Sequence, residues 1–411
     1  MSLGLFSEAL GQFLASAWWM LLPILLLPVI ASLFVFINHE TKKRSARWSL
    51  LDIKISREIK KTPQAMEQIL STMHGWGGKH TDWTSLEVAS FGGEIHFYIR
   101  VQEKLKNLME SAFFSFYQDV DIKEADEDYA TKIPSNTAEL YARGLDVWGT
   151  ELVLDKDGIL PIRSYNEFST GGSEKPDGKN FDPISVLIEI LGRIQNEEIL
   201  GVQMILMPVK TKAIKEKYKI ALDKMKEQPP KKEGEPAKPK TATEVKIAKA
   251  VEENLSKPMF NTLIRVIYVS PKTIFQDNYA KQGILSAFNQ YGSPDLNSFK
   301  QNDGVSVGAA KSWFFKKKMN EHRKEHILHE YKHRDIPQWT GLGKLFTSTL
   351  FHHNVNSKFS ELSVESLATV YHPPTNVVLT GPYMQRVESR KVGPPSGLAI
   401  FGESSDLEIF Q

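Results

Sequence analysis

Cysteine is absent from all 411 residues, so no disulfide framework, thiolate nucleophile or cysteine-ligated zinc or iron–sulfur site can form. An excess of one charge is absent too. Lys and Arg number 51 against 49 Asp and Glu, which leaves no polyanion-attracting field around the whole chain. Any affinity for nucleic acid must therefore come from a local patch. Phosphate-loop signatures are missing as well. Residues 75–81 (GWGGKHT) carry His80 where a hydroxyl residue should follow Lys79, and Leu345 follows Gly343 and Lys344. The acidic stretch 119–128 lacks the mid-loop glycine of a calcium loop and reads as an acidic strand exit. No Ser–His–Asp or Rossmann spacing occurs. The composition, 41% hydrophobic and 24% charged, is that of a folded globular chain with material for two or three cores.

What the chain does have is one long uncharged run. Residues 9–37 carry no charge, and within 14–37 only Ser16, Pro23, Pro28 and Ser32 interrupt the apolar side chains. A helix of that length reaches roughly 36 Å, enough for a hydrocarbon layer of about 30 Å. Trp18 and Trp19 near its start and Lys42, Lys43, Arg44 and Arg47 after its end predict a single-pass inner-membrane anchor. On that reading the N-terminus lies outside, the C-terminal bulk is cytoplasmic, and the lipid bilayer is the first partner. A cleaved signal peptide is the rival, opposed by Glu8 and the lack of an early Lys or Arg. Residues 1–47 thus make an expected anchor with a basic juxtamembrane segment.

Beyond the anchor the periodicity predicts an α+β fold of two ferredoxin-like (split βαβ) modules. Residues 51–56 (LDIKIS) alternate at period two, and Thr62 and Pro63 then start a helix carrying Met66, Ile69, Leu70 and Met73. A hairpin turning at Gly92 and Gly93, a helix with Leu105, Leu108, Met109, Ala112, Phe113 and Phe116, and a closing strand at 120–123 complete a first module over 48–135. The second module, 136–310, is expected to hold strands at 140–145, 152–162, 202–207 and 263–269. Its helices start at Asp182–Pro183 and after Pro271. The recurrence of an Ile-Leu-Ser segment before glycine, at 69–71 and 284–286, suggests an internal duplication. A charged helical insertion interrupts the second module, with a lysine- and proline-rich tip at 226–243 too poor in apolar residues to order itself. A basic helix at 311–335 and a C-terminal segment at 336–411 follow.

That basic helix holds the chemistry worth weighing. His329, Glu330 and His333 spell H-E-x-x-H, and His322, Glu325 and His326 spell the inverse motif. Either would pair imidazoles on one helix face for zinc, with the glutamate as base for water. Lys332 and Arg334 flank the site and would repel a dication, so the histidines also read as part of a solvated basic helix. The alternative function this leaves open is a membrane-tethered zinc metallopeptidase. Lys316, Lys317, Lys318 and Arg323, next to Trp313, Phe314 and Phe315, form a candidate nucleic-acid-binding patch, with solvated lysines as the plainer reading. No catalytic residue, cofactor site or resident metal is expected on the preferred reading of a non-enzyme.

Several stretches resemble a known family. Residues 53–75 (IKISREIKKTPQAMEQILSTMHG), 86–100, the 314–334 helix, 362–372 (LSVESLATVYH) with Pro373, and 389–400 (SRKVGPPSGLAI) look like the amino-terminal region of membrane-bound DNA-transfer ATPases of the type IV secretion coupling class. In that family an E-x-L-A-T-x-Y-H helix and a P-P-x-x-L-P-I run precede a P-loop motor. Here Ala399 stands where the last proline is expected, and no P-loop occurs before Gln411. The resemblance implies a non-catalytic platform of a conjugation-like machine, docking a motor ATPase on a separate chain or homo-oligomerising with sister subunits. A scaffold unrelated to DNA is the further alternative.

Overall fold

The computed structural model describes residues 11, 26–35, 37–38, 41, 45–56, 62–76, 83–117, 120–169, 181–226, 240–310, 315–337, 357–374 and 386–387. In β1 (Trp48–Ser56) alternate residues face opposite sides of the sheet. Pro63, whose ring presets the helical φ, opens α1 (Pro63–Trp76), which buries Met66, Ile69, Leu70 and Met73. The hairpin of β2 (Thr84–Phe91) and β3 (Glu94–Gln102) turns at Gly92 and Gly93, with φ of +57° and +90°, a two-residue turn that glycine makes without strain. A Cβ on Gly93 would also stand 2.8 Å from the Gly192 carbonyl oxygen. α2 (Lys106–Phe116) and β4 (Val120–Glu124) close a βαββαβ unit with antiparallel strand order β4-β1-β3-β2.

After α3 (Thr137–Ala142) the order repeats. β5 (Leu145–Leu154), α4 (Tyr165–Ser169), α5 (Ser185–Gly192), β6 (Ile199–Val209), the inserted α6 (Thr211–Lys226) and α7 (Ala242–Ser256), β7 (Met259–Pro271), α8 (Asp277–Asn289) and β8 (Phe299–Gln301) form a second βαββαβ unit, with order β6-β7-β5-β8. Eight residues of β2 pair antiparallel with β6, from Thr84↔Leu206 to Phe91↔Ile199, and join the two units edge to edge in one sheet. α9 (Lys316–His333), β9 (Ser360–Ser363), α10 (Val364–Val370) and β10 (Arg386–Val387) follow; β9 extends the line of β5 along β7, and β10 adds parallel to β1.

The two faces of the sheet differ in chemistry. One is apolar, with Leu86, Val88, Phe97, Val202, Met204, Ile264 and Val266 buried, and it carries α1, α2, α5 and α8 together with α10. On that side Ser90 donates to the Leu191 carbonyl of α5, and Tyr371, just after α10, meets the Phe97 ring edge-on at 5.9 Å. On the other face the register aligns Asp52, Tyr98, Glu87, Gln203, Arg265 and Glu151 in a single row across six strands. α9 covers the middle of that row.

Three sequence expectations need correction. Residues 140–145 are not a strand, because the Asn136 side chain accepts the Glu139 N–H at 2.8 Å and caps α3 instead. The strand expected at 152–162 stops at Leu154, within β5, and turns follow. The largest correction concerns the anchor. Among the described residues no helix is long and apolar enough to cross a membrane. The transmembrane helix and the inner-membrane placement are accordingly withdrawn. Residues 12–25 of that run lie outside the described residues, as do 227–239 of the expected 226–243 tip. At the far side of that tip, Thr241 and Glu244 form a reciprocal capping box that starts α7 at Ala242.

Candidate functional site

α9 lies over the seam between the two units because the sheet leaves a track for it. Next to the polar row, Gly149 and Gly201 stand on either side of Ile267 in neighbouring strands. A Cβ on Gly149 would come within 2.6 Å of Ile327 Cγ1, and one on Gly201 would run into the Tyr331 hydroxyl. Both glycines thus admit side chains of α9 to the sheet surface.

Two buried arginines clasp the helix to the units on either side. Arg265 of β7 donates from Nε to Glu151 Oε1 at 3.2 Å and from Nη2 to Glu330 Oε2 at 2.6 Å, and its Nη1 meets the Asp335 carbonyl. Glu151 also accepts from Ser357 Oγ and Asn302 Nδ2. Arg334 ends α9 in the left-handed conformation, φ +52°, which is unfavourable for a side chain with a Cβ. It spans the other unit: Nε and Nη2 bind both oxygens of Glu87 at 2.9 Å, and Nη1 reaches Asp128 at 2.5 Å. Tyr129 and Tyr331 share a hydroxyl contact of 3.0 Å beside it. Burial raises the Glu87 carboxyl, but the Arg334 charge and hydrogen bonds outweigh it and hold the group below the ordinary carboxylate range. For Glu151 burial wins, helped by the Glu330 charge, and its carboxyl is pushed up in spite of Arg265.

These contacts decide the H-E-x-x-H reading. Glu330 is buried against Arg265 and His326, while His329 and His333 stack ring on ring at 4.3 Å one helical step away, with the His329 side chain 58% exposed. The glutamate and the imidazole pair do not converge. Among the described residues no group of three or more His, Asp and Glu is placed to hold a metal ion.

The amino-terminal half of α9 borders a cavity of about 620 Å³ at the exposed margin of β5. Val147, Trp148, Phe275 and Val307 form its apolar wall, and Asp277, Lys316, Lys317, Asn320, Glu321 and Lys324 supply the polar lining. Two of the four proposed phosphate-facing residues, Lys316 and Lys317, are therefore brought together there. Lys318 is exposed but does not line the cavity. Arg323 points elsewhere: it is half-buried, donates from Nη1 to the Ser306 carbonyl at 2.7 Å, and is pulled down by burial. Lys324 takes its place. It is anchored by Asp146 at 2.6 Å and raised, because the Asp146 and Tyr141 hydrogen bonds outweigh its burial. The 317, 320, 324 spacing on one helix face was the signal for it. No Asp or Glu occurs in the first turn of α9 and no side chain among the described residues caps it, so the lysines there oppose the helix dipole.

The E-x-L-A-T-x-Y-H stretch is a staple on the opposite face. Glu365 pairs with Lys257 at 2.7 Å, the Thr369 hydroxyl accepts the Tyr165 N–H, and Tyr371 donates to the Tyr98 carbonyl. His372, fully buried, sets Nε2 2.7 Å from Asp182 and Nδ1 2.7 Å from the Ala368 carbonyl. Every polar member of the motif ties α10 to a different element.

Residues 37–386 match the family described as a domain of unknown function (DUF8128). The chain belongs to this family. No curated protein matches the chain. The DUF8128 description assigns no role, so it lends the secretion and conjugation reading no support. What the match does cover is the whole of both βαββαβ units, α9 and α10.

Proposed function

We propose that this DUF8128 chain is a non-catalytic platform of a DNA-transfer machine. It docks a motor ATPase on a separate chain, or sister copies of itself, and contacts the phosphate backbone through the first turn of α9. The observation that carries the reading is the run Lys316, Lys317 and Lys318. All three are exposed, on a helical turn that has neither an acidic residue nor, among the described residues, a side-chain cap. Positive charge at a helix start breaks a local stability rule, and such breaches are expected where a ligand compensates them. A phosphate oxygen there meets the ammonium groups of three successive lysines and the positive end of the helix dipole together. The polar clusters under α9 support a non-catalytic role, because their carboxylates are consumed by buried arginines. The resemblance of the α10 region to DNA-transfer ATPases supports the choice of machine.

The test is fluorescence anisotropy of labelled DNA with the full-length protein across a salt series. The slope of log affinity against log salt should lose about 2–3 on replacing the three lysines by glutamine, at roughly 0.7–0.9 per phosphate contact. Binding that is indifferent to salt, or to that triple substitution, rules the reading out. Co-purification with a P-loop ATPase, or a self-assembly measured by light scattering, tests the docking half.

A further inference from the structure

We propose that His372 and Asp182 form a proton-gated latch: one proton shared by the pair holds the end of α10 against the approach to α5, and its loss as the pH rises releases that end. Both side chains are buried, His372 completely. The latch is independent of the phosphate-facing role given to α9, which lies on the other face of the sheet.

The proton count follows from the geometry. His372 Nδ1 stands 2.7 Å from the Ala368 carbonyl oxygen, and Nε2 stands 2.7 Å from Asp182 Oδ1. A carbonyl oxygen only accepts, so Nδ1 carries a proton. A second proton must lie between Nε2 and the carboxylate, whether on the nitrogen or on the oxygen, because two lone pairs cannot face each other at that distance in a site closed to water. Turning the ring over would set carbons against both oxygens and leave both acceptors unmet. The closed pair therefore holds one proton more than a neutral imidazole beside a carboxylate.

The position of the pair gives that proton something to control. Tyr371, next to His372, donates to the Tyr98 carbonyl of β3 and meets the Phe97 ring edge-on, so it is held by the first unit. Asp182 precedes α5 of the second unit, and the same Oδ1 accepts the Ile184 N–H at 3.1 Å. The latch thus fastens a strap that crosses both units.

Most ionisable groups packed about α10 are pushed away from neutral pH. Burial raises the phenols of Tyr117, Tyr165, Tyr291 and Tyr371, which face the pair from α2, α4, α8 and α10. Burial also lowers Lys257 and raises Glu365, but their mutual hydrogen bond and those to Glu67 and Ser164 outweigh it, leaving Lys257 raised and Glu365 lowered. Glu67 is tied to the same lysine at 2.9 Å. A second imidazole on this side, His74 of α1, sets Nε2 2.9 Å from the Val209 carbonyl and serves as a control.

Once the end of α10 leaves, a free imidazole titrates near 6.5 and a free carboxyl near 3.9, so above about pH 6.5 the open form holds no proton on either group. The closed form holds one. Closure is therefore favoured to its full extent below about pH 6.5, and the opening constant rises about tenfold per pH unit above it.

Hydrogen–deuterium exchange of the full-length protein, followed by mass spectrometry over residues 364–372 between pH 5.5 and 8.5 and corrected for intrinsic base catalysis, tests the latch. The opening constant should be flat up to about pH 6.5 and then climb about tenfold per unit. Asp182→Asn should abolish the climb while circular dichroism shows the fold intact, because an amide N–H can donate to a neutral Nε2 and no extra proton is needed. His372→Gln should abolish it too, and His74→Gln should leave it in place. A flat profile in the parent chain, or a climb that survives Asp182→Asn, overturns the latch.

Discussion

Arg334 shows how much one side chain can hold. It is 1% exposed, adopts a backbone conformation that costs a non-glycine residue about 1 kcal/mol, and binds two carboxylates. Arg334→Met leaves Glu87 buried without its partner, and the expected loss is about 3–5 kcal/mol in urea denaturation. Replacing Glu87 by leucine in the same background should return part of that loss, because no lone charge then remains buried. Glu87 also sets an acid sensitivity. Its carboxyl lies below the ordinary range in the folded state, so its contribution is complete above the unfolded value of about 4.3 and is lost as the pH falls through the folded one. Denaturation midpoints of Glu87→Gln between pH 7 and pH 3 should therefore fall less steeply than those of the parent chain. Glu151 has the opposite sign. Its raised carboxyl makes ionisation unfavourable to folding as the pH rises through the folded value, so Glu151→Gln should be the milder of the two substitutions at pH 7.

α9 depends on the absence of two side chains as much as on its own. Gly201→Ala places a methyl where the Tyr331 hydroxyl lies, and an overpacking loss of about 1–3 kcal/mol is expected in thermal or urea unfolding. Tyr331→Phe in that background should recover part of the loss, whereas Tyr331→Phe alone should destabilise by removing the contact with Tyr129. Additive effects of the two changes would show that the helix does not sit as described. The periodicity of α9 gave little warning of this packing. Lysines and histidines surround the buried positions Ile327, Leu328 and Tyr331, so no apolar stripe marks the buried face. By contrast α1 and the Gly92–Gly93 hairpin were legible, since each follows its own period and carries its own start or turn residues.

The assembled chain behaves as one body in this arrangement. The β2–β6 pairing, the Arg265 and Arg334 clusters beneath α9 and the staple of α10 all cross between parts that a sequence reading separates into modules at 48–135 and 136–310. A single unfolding transition is expected, with far-UV circular dichroism and tryptophan fluorescence superimposed, although each unit is large enough to fold alone. Two separated transitions would show that the seam is weak. In Arg334→Met the two signals should begin to diverge, because the clasp on the first unit is lost while Arg265 still holds the second.

The amino-acid order by itself determined the succession of strands and helices in the first unit, the near-balance of charge and the exclusion of cysteine chemistry, because these depend on composition or on neighbours within a few positions. It also marked the position of the helical insertion, from a run of lysine and proline with little to bury. Which face of α9 is buried, and that Glu330 belongs to an arginine and not to a pair of histidines, was settled only in three dimensions. Glu87 and Arg334 are 247 residues apart, and Arg265 and Glu330 are 65 apart. Such partners meet only once two edges have paired in one register, and that register follows from the packing of both units together.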